Sequence, residues 1–168
     1  MKPKNTFLAV LAALLWIAMP ACSSGSDTPD APTKTSQTQT KNATITWYGY
    51  DEGMAMGKQS GKKILLHFYA NWCTYCKKMN REVFSQSDSA DYINQNFVPI
   101  RVNSDKEKQL AALYRVSGLP TTWFLDQNGE RIMSLPGYLP KKMFMAYLKF
   151  IQTESYRNMS FRAFMGVE

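Results

Sequence analysis

"ILLHFYANWCTYCK", residues 64–77, joins an apolar run to two cysteines spaced C-x-x-C. With Lys63 and Ala70, the run "KILLHFYA" is near-continuous and of strand length, which suits a buried central strand. Cys73 to about Phe84 reads as a helix, with Met79 and Val83 spaced for one face. The cysteines therefore stand at a strand-to-helix junction. A C-x-x-C pair serves a metal, a haem, a structural staple, or a disulfide made and broken during work. Structural zinc takes four ligands, and the mature domain offers Cys73, Cys76 and the single histidine, His67. Haem attachment requires C-x-x-C-H, and residue 77 is lysine. A loop closed over three residues removes little unfolded-state entropy, so it makes a poor staple. No metal and no cofactor is expected. Reactivity suits the spacing best.

The flanking chain alternates. "TITWY" (44–48) reads as a strand, and "DEGMAMGKQSGK" as a helix from near Asp51 to Gly61. After the cysteine helix come a short helix in "SADYINQNF", a strand in "FVPIRVN", and a helix in "KEKQLAALYRV" with Leu110, Leu113 and Tyr114 inward. "TTWFLD", the turn "QNG" and "ERIMSL" form a hairpin, and a last helix opens at Pro140. The fold class is α/β, a central mixed β-sheet flanked by helices. There is no internal repeat.

The N-terminus is of a different kind. Lys2 and Lys4 precede the uncharged apolar run "TFLAVLAALLWIAM" (6–19), which is short for a membrane span of about 20 residues. Residues 1–21 have the layout of a secretory signal of lipoprotein type. Its exit, "MPAC" (19–22), resembles a bacterial lipobox at Ala21 and Cys22; Met19 and Pro20 depart from that pattern. Cys22 is the expected lipidation site. An ordinary cleaved signal and an uncleaved anchor are the alternatives. All three place the domain outside the cytoplasm, either lipid-anchored on the periplasmic side of a bacterial membrane or soluble there. Residues 22–43 are Ser, Thr, Pro, Gln and Asp with almost nothing apolar, a disordered tether with a reach of about 25 Å. Residues 44–168 form the folded domain. The net charge of +7 becomes +5 without Lys2 and Lys4, and the remaining cations are spread along the chain, which argues against nucleic acid as a partner.

"ILLHFYANWCTYCK" resembles the thioredoxin strand–loop–helix. "VSGLPTTWFLD" (116–126) is similar to the segment of that family whose proline is cis, and "LPGY" (135–138) falls where the family has a glycine after the last strand. The resemblance runs from about residue 44 to 152 and is strongest to the C-terminal periplasmic domain of transmembrane disulfide reductases and their single-domain exported relatives. It implies the thioredoxin fold, and a thiol-disulfide oxidoreductase of protein-disulfide reductase type. Its partners would be protein thiols and disulfides, with a membrane-embedded electron donor and membrane attachment through the N-terminal lipid.

Cys73 would then open a helix, where free amides and the dipole favour a thiolate, and act as nucleophile. Cys76, one turn in, would resolve the mixed disulfide. Trp72 would shield one side of the sulfurs. The resemblance makes Leu119–Pro120 a cis bond beside Cys73, where an extended substrate pairs with the Leu119 backbone. Lys77 reads as a solvated lysine. The family mostly has a carboxylate at the position of His67, and the reductase domain has an acid at the position of Asn80, so both acid positions are altered here. His67 is either a packed core histidine or a proton acceptor for Cys76. The rival function is a non-catalytic module that holds extended peptides at the Leu119–Pro120 edge.

Overall fold

The computed structural model describes residues 43–167. The expected signal peptide, the Cys22 lipidation site and nearly all of the tether lie outside the described residues. Helix α1 (Tyr50–Ser60) leads into β1 (Lys63–Tyr69). Then come α2 (Thr74–Met79), a π-helical turn (Asn80–Phe84), α3 (Ser87–Asn96) and β2 (Phe97–Asn103). Helix α4 (Lys108–Leu113), the strands β3 (Thr121–Leu125) and β4 (Arg131–Pro136), and α5 (Lys141–Gln152) follow. A 3-10 turn (Ser155–Arg157) and α6 (Phe161–Phe164) complete the domain.

The four strands lie in the order β2-β1-β3-β4. β1 pairs parallel with β2 and antiparallel with β3, and β3 pairs antiparallel with β4. β1 is thus central, as its unbroken apolar run requires. Its alternate residues serve two cores. Ile64, Leu66 and Phe68 pack with Val98, Ile100, Val102 and Tyr114 on one face. Leu65 packs on the other face with Met79, Val83, Phe84, Phe144 and Leu148. His67 is on this second face, under α2 and the π turn, against Phe84 (ring centroids 4.8 Å apart) and Trp47 (6.1 Å).

Helix α1 buries only Gly53 and Gly57, its two glycines on one face. A Cβ at Gly57 would stand 2.7 Å from Ile64 Cδ1, and one at Gly53 would overlap the Ile100 side chain. The helix rests on the sheet through bare backbone, and ends where Gly61 turns left-handed (φ 68°).

Three expectations need correction. "TITWY" is not a strand: only Tyr48 forms a parallel bridge, to Ile100. The Asn94 side chain takes the backbone bonds that a ladder would use, accepting from Thr46 N (3.1 Å) and donating to Thr44 O (2.8 Å). Leu113 is not inward but 59% exposed. The left-handed Arg115 (φ 52°) ends α4 early, and Arg131 Nη2 donates to the Leu113 carbonyl (2.7 Å). The helix after Cys73 is not continuous; Ser85 N donates to Asn80 O (2.8 Å), a five-residue step that widens its last turn into a π segment.

Residues 153–167, for which the sequence reading has no elements, fold back over α5. Phe161 stacks on Tyr147 at 3.6 Å between centroids and meets Phe150 edge-on. Lys63 at the start of β1 bonds Glu154 (2.8 Å).

Candidate active site

The site forms where β1 ends and α2 begins. Cys73 is the N-cap of α2, in extended conformation, and its Sγ accepts from Cys76 N (3.0 Å). The Cys73 carbonyl accepts from Lys77 N, the first bond of the helix. The sulfur therefore occupies the place of a capping oxygen, at the positive end of the helix. Cys73 and Cys76 are joined by a disulfide with Cα atoms 5.2 Å apart. In this oxidised form both are buried, 5% and 2% exposed, and Ala70, Tyr69 and Leu119 pack around them.

The expected neighbours fall around the pair. The Leu119–Pro120 bond is cis. Pro120 O accepts from Gly137 N (2.7 Å), which ties the proline segment to the end of β4. Trp72 stands at the rim, 68% exposed, its indole N–H donating to Asp105 Oδ2 (3.0 Å). Between Trp72 and Leu119 runs a groove floored by Ala111, Ala112 and Val116. On another flank Tyr75 is exposed, its ring 6.5 Å from that of Tyr138, which in turn carries Lys78 over its face and donates to Glu82 (2.6 Å).

His67 is fully buried. Its Nδ1 hydrogen-bonds Thr122 Oγ1 (3.0 Å), its cross-strand neighbour on β3, and Nε2 has no partner. Burial, and then the Arg101 charge beside it, lower its pKa to about 3. The imidazole is neutral at working pH and a weak base.

Arg101, opposite His67 on β2, is the residue that the sequence reading missed. Its guanidinium lies 4.1 Å from the Tyr69 ring centroid and 5.5 Å from that of Trp47. A single arginine inside the apolar strand "FVPIRVN" was the available signal, since a charge there needs a reason.

A buried C-x-x-C disulfide capping a helix, beside a cis-proline segment and above a four-stranded mixed sheet, is the arrangement of one family, and a family model of a thioredoxin-like domain matches residues 50–152. The chain belongs to the thioredoxin-like family. The thioredoxin-like domain is 35% identical over 80 residues to the thiol:disulfide interchange protein DsbD of Photorhabdus laumondii, covering 46% of this chain and 14% of that protein. It is 31% identical over 97 residues to the chloroplastic thioredoxin-like protein HCF164 of Oryza sativa, covering 57% of this chain and 35% of that one. The chain thus spans well under half the length of these curated relatives. Among solved structures, a thioredoxin from Thermus thermophilus superposes with a TM-score of 0.59 at 30% identity, over 64% of this chain and 87% of that one. Within this thioredoxin-like domain Cys73 and Cys76 form a C-x-x-C disulfide at the junction of β1 and α2.

Proposed function

We propose that this domain reduces disulfides in exported proteins, cycling Cys73 and Cys76 between dithiol and disulfide. The observation that carries the reading is the Cys73 sulfur seated as the cap of α2. Amides at a helix N-terminus stabilise a thiolate, so Cys73 is the nucleophile. It attacks a substrate disulfide, one substrate thiolate leaves, and Cys76 then attacks Cys73 Sγ to release the second. The groove between Trp72 and Leu119 holds the apolar part of the substrate, with the Leu119–Pro120 edge beside the reacting sulfurs.

The likeness to thiol:disulfide interchange proteins supports a dithiol–disulfide cycle, and a membrane-embedded donor is the proposed source of electrons for reduction. Attachment through a lipid on Cys22 is the proposed location, on the periplasmic side of a bacterial membrane. Among the described residues no helix is long and apolar enough to cross a membrane. His67, neutral and bonded to Thr122, is assigned to packing; its lowered basicity weakens the alternative role of proton acceptor for Cys76.

The test is reduction of insulin by dithiothreitol with and without the domain. Acceleration that is lost in Cys73→Ser supports the reading. A parent protein that binds unfolded peptides without accelerating reduction would establish the binding module instead.

A further inference from the structure

The row Arg101–His67–Thr122 under α2 leaves one charge unexplained. Arg101 is half-buried, none of the ion pairs among the described residues involves it, and its Nε is buried without a partner. The Tyr69 and Trp47 rings contact the guanidinium but bring no negative charge, and a half-buried cation without a counter-ion costs free energy, so a use for it is expected. A small cavity opens beside it. The walls of that cavity include Arg101, Tyr69, Asn80, Lys77 and Cys76. Cys76 is otherwise covered, 2% exposed.

We propose that Arg101 is the electrostatic partner of Cys76: across this cavity its charge stabilises the Cys76 thiolate, and the thiol proton leaves to water in the cavity rather than to His67. The proposal rests on the reading that the cysteine pair cycles. In the resolving step Cys76 S–H loses its proton to that water. The Cys76 thiolate attacks Cys73 Sγ, the Cys73–Cys76 bond forms, and the bond from Cys73 to the substrate sulfur breaks. The substrate sulfur leaves with the electron pair and is protonated by solvent. The cysteine pair is oxidised and the substrate disulfide is reduced to two thiols.

The surroundings of Cys76 single out Arg101. Burial disfavours a thiolate, and a nearby cation offsets this. Lys77 lines the cavity but is exposed, and water screens it. From β1, Tyr69 and the neutral His67 bring no positive charge, and Asn80 on the π turn is uncharged. A guanidinium stays protonated across the pH range of thiol chemistry.

The experiment is alkylation of Cys76 by iodoacetamide across pH 5–10 in the Cys73→Ser protein, where Cys76 is the reacting thiol of the folded domain. Adding Arg101→Gln is expected to move the profile to higher pH by about one unit, which is about tenfold slower reaction at pH 7. Arg101→Lys keeps the charge and retains most of the rate. His67→Gln leaves the midpoint in place. Asn80→Asp adds a negative charge to the same cavity and moves the midpoint upward without touching the arginine, which covers the case in which Arg101→Gln melts early. Superposable profiles for the parent, Arg101→Gln and Asn80→Asp overturn the proposal, as does a shift in His67→Gln as large as that in Arg101→Gln. Because alkylation needs no turnover, failure here is distinct from failure of the domain to reduce insulin.

Discussion

His67 carries a measurable consequence at the residue scale. Its folded-state pKa of about 3 lies below its ordinary value of 6.5, because burial and Arg101 oppose the imidazolium. The unfolded chain takes up this proton as pH falls through 6.5, and the folded chain resists until about 3. The sign follows: the stability tied to neutral His67 is complete above pH 6.5 and is lost as pH falls toward 3. One proton over that interval amounts to as much as about 5 kcal/mol at ~1.4 kcal/mol per pH unit. Urea melts of the parent and of His67→Gln between pH 8 and 4 should converge on the acid side, with the parent falling more steeply. Parallel curves would mean that His67 takes up its proton over the same pH range in the folded chain as in the unfolded one. The sequence singled out His67 from its position six residues before Cys73, inside an apolar strand. Arg101 was passed over because its meaning depends on β2 lying parallel beside β1, and that register is a tertiary fact.

Helices are where local pattern and packing part company. The strand β1 and the hairpin β3–β4 were legible because an apolar run and an Asp-Gln-Asn-Gly turn act locally. The segment 44–48 has strand composition, yet it lies outside the sheet edge where Asn94 claims its backbone. Propensity cannot anticipate a side chain 50 residues away. Helix α4 was read too long because nothing in "ALYRV" announces a left-handed Arg115. The ends of helix α1 follow from its sequence, but nothing local shows that Gly53 and Gly57 are its contact surface. Gly53→Ala should destabilise the domain by about 1–3 kcal/mol, the usual range for overpacking, since the new methyl meets Ile100. Thermal melting checks this. An unchanged midpoint would show that α1 can lift from β2 at no cost.

At the scale of the whole molecule, the Cys73–Cys76 disulfide sits at the end of the central strand of a four-stranded sheet, and in the sequence an apolar run and a polar stretch precede the described residues. Residues 153–167 were not legible in the sequence, because their short elements are held by aromatic contacts with α5. If Cys22 carries a lipid, Cys22→Ala should move the protein from the membrane fraction to the soluble one and remove the acyl mass. Unchanged fractionation and mass would contradict the anchor. The central claim is the division of labour between the two cysteines: Cys73 attacks and Cys76 resolves. It is tested most directly by mass spectrometry of single-cysteine variants after reaction with a model peptide disulfide. The account predicts that Cys76→Ser accumulates a mixed disulfide through Cys73, whereas Cys73→Ser accumulates little. Equal trapping by the two variants, or trapping chiefly through Cys76, would contradict it.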